Sequence, residues 1–98
     1  MLKVFVGQPM RGKTGEQIKN ERVELIKKIE EEFENFELID SIFEPNEQTK
    51  PLEFLGEAIK LLAHADVAVF AKGWQHARGC IIEEKCAREY GIKTYYEG

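Results

Sequence analysis

Val67 to Glu83 reads VAVFAKGWQHARGCIIE, an apolar strand that runs into a turn and then a helix opening at Gly79 with Glu83 in its first turn. The start of a helix carries backbone N–H groups with no partner inside the helix. A strand, a loop and such a helix start with one carboxylate beside it therefore make a place for a small polar or anionic ligand. Trp74 adds a flat apolar face, Gln75 and His76 add polar groups, and Arg78 stands just before the helix. An aromatic ring beside donors and a carboxylate suits a base joined to a ribose. At a glycosidic bond, one carboxylate attacks the anomeric carbon or stabilises the oxocarbenium-like charge that grows there. Glu83 is the candidate for that role. The residues alone also allow a plainer account, in which Glu83 and Glu84 are acidic side chains that stabilise a helix N-terminus.

A second junction of this kind opens the chain. Leu2 to Val6 (LKVFV) is followed by Gly7-Gln8-Pro9-Met10-Arg11-Gly12 and a long polar helix. Gly7 and Gly12 remove side chains where backbone approaches a ligand, and Arg11 offers a planar fork of donors. These features favour phosphate, carboxylate or sugar hydroxyls. The spacing is neither a Walker A loop nor G-x-G-x-x-G. Taken alone it equally describes a tight turn punctuated by Pro9 and Gly12, with Arg11 in solvent.

The elements that must hold these loops follow from apolar periodicity. After the strand Leu2 to Val6, a helix starts at Thr14, where Thr14 with Gln17 fits a capping box, and runs to about Phe33. Its inward stripe is Ile18, Arg22 or Val23, Leu25, Ile26, Ile29 and Phe33, and its lysines and glutamates form a solvated face. The second strand is Phe36 to Ile42, with Asp40 and Ser41 near its end and within reach of a pocket from the side. A polar loop, Glu44 to Lys50, leads to a helix from Pro51 to Ala63 with a core stripe of Phe54, Leu55, Ile59 and Leu62. His64 ends that helix. The third strand is Val67 to Ala71, the third helix Gly79 to Tyr90 with Gly91 as its C′ residue, and the last strand Ile92 to Tyr96.

Strands alternating with helices of ten or more residues imply an α/β fold with a four-stranded parallel sheet, order 2-1-3-4, and helices on both faces. In such a sheet a crevice opens between the carboxyl ends of the first and third strands, where the two loops meet. Asp66, at the amino end of the third strand, belongs to the far side and has a structural role.

Composition bounds what surrounds the crevice. The chain has 98 residues, 43% hydrophobic and one third charged, which is room for a single domain with one core. A core of that size gains from packing against a partner subunit, so a homo-oligomer is expected. Fourteen basic and 18 acidic residues, net charge −4, give no basic stripe, which argues against polymeric nucleic acid as a partner. Cys80 and Cys86 are six apart on one helix and point in different directions, so reduced thiols and a cytoplasmic location are expected. No apolar run reaches about 18 residues and no signal pattern opens the chain, so no membrane partner is expected. His64, His76, Cys80 and Cys86 match no zinc spacing, so neither a metal nor another cofactor is expected.

VFVGQPMRG near the start, LLAHADVAVFAKGW in the middle and RGCIIEEKCAREYGI near the end resemble the nucleoside 2-deoxyribosyltransferase-like superfamily, particularly its small bacterial and phage members. The resemblance covers most of the chain and implies a three-layer, flavodoxin-like domain over residues 1–98. It also implies cleavage or transfer of the N-glycosidic bond of deoxynucleosides or their monophosphates, through a glutamate in a G-x-x-x-E segment. Here that segment is Gly79-Cys80-Ile81-Ile82-Glu83, so the nucleophile falls on Glu83. By the same similarity, ligand contacts fall on Gly7, Gln8, Met10, Arg11 and Gly12, with Trp74, Arg78 and Gly79 completing the pocket. The chain differs from catalytic members at Ala77 and Arg78, where they carry an acidic or hydroxyl residue, and at Phe5, where they often carry tyrosine. It also lacks a clear fifth strand. Two functions follow from different classes: an enzyme acting on a nucleoside or nucleoside monophosphate, and a non-catalytic binder that sequesters a nucleotide or a signal derived from one.

Overall fold

The structure, a computed structural model, describes residues 1–39 and 48–98. Its elements are β1 (Leu2–Gly7), α1 (Gly15–Glu32), β2 (Phe36–Leu38), α2 (Pro51–Leu62), β3 (Val67–Phe70), α3 (Arg78–Glu89) and β4 (Lys93–Tyr96), with a 3-10 turn at Trp74–His76 before α3. All strand pairs are parallel and the order is β2-β1-β3-β4, a flavodoxin-like α/β arrangement. Asp40 to Glu47 lie outside the described residues, and with them the expected end of the second strand, its Asp40 and Ser41, and most of the polar loop.

Central strands of a parallel sheet are covered on both faces and so are apolar along their whole length. Accordingly, all four residues of β3 are buried. Alternation sends Val67, Val69 and Ala71 to one side, where they pack with Val4 of β1 and with Leu25 and Ile29 of α1. Ala68 and Phe70 face the other side with Phe5 of β1, Leu62 of α2, and Cys80 and Ala87 of α3. The sheet is thus the middle of three layers. Its registers matter for the site: Gly7 lies opposite Phe70, and Phe70 opposite Tyr96.

Local chemistry fixes the helix ends. Thr14 accepts the Gln17 N–H at 3.1 Å while the Gln17 side chain accepts the Thr14 N–H at 2.9 Å, the reciprocal capping box expected from the sequence. Gly91 ends α3 at φ +76°, and its N–H and that of Ile92 donate to the Arg88 and Ala87 carbonyls, a Schellman closure. Of the two alternatives for the α1 stripe, Arg22 takes the inward place and Val23 is 45% exposed, because positions 22, 25 and 29 keep the three-and-four spacing and position 23 does not. One stripe position differs from expectation. Phe54 is also 45% exposed, since Ala58, Ile59, Leu61 and Leu62, nearer the end of α2, supply its contact with the sheet.

Candidate functional site

The carboxyl ends of β1 and β3 are tied by the Ala71 N–H, which donates to the Gly7 carbonyl at 2.8 Å. Gly7 is a glycine for a steric reason. A Cβ there would lie 2.5 and 2.6 Å from Phe70 Cδ1 and Cε1, and 3.2 Å from Glu83 Oε1. The space that Gly7 leaves is filled from within, by the ring opposite it and by the carboxylate of Glu83. Residue 83 therefore stands directly against the turn that follows the opening strand.

Glu83 sits in the second turn of α3, not the first. The helix begins one residue earlier than expected, at Arg78, and its first turn holds no acidic residue. Stabilisation by the free N–H groups of the helix start therefore does not describe it. No hydrogen bond to Glu83 is present among the described residues, and burial raises its proton affinity from an ordinary 4.5 to about 7. An acid pushed near neutrality by desolvation is a pattern associated with catalytic groups, although the groove on the α1 side of the sheet edge does not include Glu83. Cys80, three residues earlier, has its thiol pushed up to about 12, first by burial and then by the nearby Glu83 charge, with Lys13 acting in the opposite sense. It is a packed, unreactive thiol.

Glu84 turns elsewhere. It is 5% exposed, and both its oxygens accept from Arg88 Nε, at 2.9 and 3.1 Å. The Tyr96 hydroxyl donates to it at 2.6 Å. Burial alone would raise its proton affinity, but the bonds from Arg88 and Tyr96 outweigh that and hold it below the usual carboxylate range. The same bond raises the Tyr96 phenol.

Trp74 is half-buried and already partnered. Its ring stacks on Tyr96 with centroids 5.3 Å apart and 29° between planes, and both lie near Phe70, at 5.9 and 6.2 Å. Phe70 and Tyr96 were not singled out from sequence, and Glu84 only as a helix-end acid, because the strand register that brings them together is not visible before folding.

The glycine turn divides into parts. Gln8 is buried, and its Nε2 donates to the Ile18 carbonyl at 2.7 Å, bracing the turn against α1. Its Oε1 is buried with no partner among the described residues. Met10 to Lys13 closes a turn through the Lys13 N–H and the Met10 carbonyl, at 3.2 Å, with Gly12 at φ +79°. That backbone conformation explains the glycine, and the space beside it is open. Arg11 is exposed and makes no ion pair among the described residues. Arg78 is exposed at the first position of α3, and apart from its chain neighbours and the adjacent helix backbone nothing lies within 4 Å of where a Gly79 side chain would begin.

On the α1 side of the same sheet edge runs a groove of about 510 Å³ lined by Lys13, Asn20, Glu21, Ala71, Lys72 and Glu97, among others, with Glu83 outside its lining. Lys13 is held there by Glu21 at 2.6 Å, and Glu97 accepts the Lys72 N–H at 2.9 Å and Lys28 Nζ at 2.8 Å. At the opposite edge, Asp66 accepts the Lys3 N–H at 2.8 Å, a structural bond far from the crevice. Among the described residues there is no group of three His, Cys, Asp or Glu side chains fit to hold a metal, and no helix long and apolar enough to cross a membrane.

The fold and the site define a flavodoxin-like α/β protein with a partly buried acid, Glu83, at the switch point of its sheet. No family model, curated protein or solved structure matches this chain.

Proposed function

We propose that this protein binds a nucleoside or nucleoside monophosphate and acts as an N-glycosidic-bond hydrolase or deoxyribosyltransferase, a small member of the nucleoside 2-deoxyribosyltransferase-like superfamily. One observation carries the reading: the carboxyl group of Glu83, without a hydrogen-bond partner among the described residues, stands against Gly7 at the carboxyl ends of β1 and β3 with its proton affinity raised to about 7 by burial. In the reaction, the bond between C1′ and the base nitrogen breaks and its electron pair leaves with the base. A Glu83 oxygen then bonds to C1′, or faces its positive charge, until water or a second base takes its place. Burial destabilises the free carboxylate, and the cationic sugar of the transition state relieves that penalty, so the interaction is stronger there than in the ground state. Arg11, Arg78 and the open start of α3 at Gly79 supply groups for a sugar or phosphate.

Incubating the protein with deoxynucleosides and their monophosphates, with chromatography for free base, tests the reading. Release should rise with pH through about 7 as Glu83 ionises, and should be lost in Glu83→Gln. Equal release by Glu83→Gln, or none by wild type, removes Glu83 from this role.

A second reading, a non-catalytic binder of the same ligands, is favoured by the engagement of Glu84 with Arg88 and Tyr96, which leaves no second acid among the described residues contributing to the environment of Glu83. A nucleotide recovered intact from purified protein, with binding lost in Arg11→Ala and kept in Glu83→Gln, would support it. A homo-oligomer and a cytoplasmic location belong to either reading. Sedimentation of the purified protein measures the first, and a purely monomeric species would exclude it.

A further inference from the structure

Glu83 and Glu84 leave α3 toward different strands, the first toward Gly7 on β1 and the second toward Tyr96 on β4, with the Phe70 ring between them. The proposed reaction uses only the first. Burying a carboxylate is expensive unless its oxygens are satisfied, and those of Glu84 are satisfied by Arg88 and by one phenol. Thr94 Oγ1 also lies 2.9 Å from that phenol oxygen. These bonds fix the position of the Tyr96 ring against Trp74. Yet Tyr96 remains 47% exposed, whereas Phe70 is fully buried. A tethered ring backed by a second ring, in a residue that is 47% exposed, can serve as a preformed stacking platform. Phe70 links it to the reacting group, because its Cδ1 and Glu83 Oε1 lie within 2.5 and 3.2 Å of one point above Gly7.

We infer that Tyr96, backed by Trp74 and held by Glu84, is the surface on which the planar base of the substrate stacks, with Glu84 as a positioning residue. The inference rests on the reading of Glu83 as the group that faces the sugar. A ring held in place before binding loses little freedom when a base covers it. Stacking on an aromatic side chain also reads the flat face common to all bases.

Isothermal titration calorimetry with adenine, deoxyadenosine and deoxyribose 5-phosphate tests this on wild type, Tyr96→Leu, Tyr96→Phe and Glu84→Gln. Tyr96→Leu keeps apolar bulk and removes the π face. It should weaken adenine and deoxyadenosine by at least about fivefold and leave deoxyribose 5-phosphate unchanged. Tyr96→Phe should recover most of that loss, and Glu84→Gln should weaken the two base-containing ligands without changing the third. Equal weakening of all three ligands by Tyr96→Leu, no weakening, or no binding of adenine by wild type would overturn the assignment. If adenine binds through Tyr96 while no deoxynucleoside is cleaved, the platform stands and the reaction falls. If cleavage proceeds and Tyr96→Leu binds adenine like wild type, the reaction stands and the platform falls.

Discussion

Replacing Glu83 by glutamine should make the protein more stable at pH 8 and leave its stability nearly unchanged at pH 4. Burial lifts the proton affinity of this acid from 4.5 to about 7, with no hydrogen bond among the described residues to offset it. Between those two values the folded protein holds a proton that the unfolded chain has released. Wild-type stability therefore falls as pH rises through that window, and above about 7 the folded state carries the full penalty of an ionised, desolvated carboxylate. At about 1.4 kcal/mol for each tenfold change in proton affinity, that penalty comes to about 3 kcal/mol. Glutamine matches the shape of the neutral acid and never ionises. In a domain of this size, Glu83→Gln should then raise the midpoint of thermal unfolding by roughly 10 °C or more at pH 8. Thermal and urea unfolding of both proteins, from pH 4 to pH 8, provide the comparison, and other titrating groups cancel in the difference. Parallel wild-type and variant curves over this range would refute the claim that position 83 is a desolvated acid held at a stability cost.

Gly7→Ala should destabilise by about 1–3 kcal/mol through the clash with the Phe70 ring. Urea unfolding of Gly7→Ala, Phe70→Leu and the double variant should show that much of the loss disappears when the ring is removed, whereas strict additivity would mean that ring and glycine do not meet. Glu84→Gln should behave opposite to Glu83→Gln. Because the carboxyl of Glu84 is held below the usual range by Arg88 and Tyr96, its stabilisation is present above the ordinary carboxylate value and is lost as pH falls through the depressed one. The variant should therefore be less stable than wild type at pH 7 and equal to it in strong acid, as followed by unfolding midpoints; a variant as stable as wild type at pH 7 would contradict the network. Cys80, buried and pushed up to about 12, should resist a thiol-reactive disulfide at pH 8 in native protein and react in denaturant. Rapid native labelling, located by peptide mass mapping, would count against its packing.

The layers of this fold were legible in the chain because each depends on local pattern. Thr14 and Gln17 carry a capping box in their spacing, Gly91 carries a helix stop, and VAVF, short and rich in β-branched valine, reads as a strand covered on both sides. Alternating elements then allow few topologies, among them the order 2-1-3-4, which places helices on both faces of the sheet. Glu83 was named as a candidate from the segment Gly79-Cys80-Ile81-Ile82-Glu83, and the fold sets its carboxylate against Gly7.

What surrounds Glu83 depends on contacts between residues far apart in the chain. Gly7 reads in sequence as an opening for a ligand, and in the fold it accommodates Phe70, which stands opposite it only because β1 and β3 pair in that register. Glu83 and Glu84 are indistinguishable as neighbours in a sequence. A helix turns by about 100° per residue, so one faces β1, where no donor among the described residues meets it and its affinity for a proton rises. The other faces β4, where Arg88 and Tyr96 meet it and its affinity falls. Residue types supplied two acids, and their different chemistry was decided by desolvation and hydrogen bonding that exist only once the sheet has assembled beneath the helix.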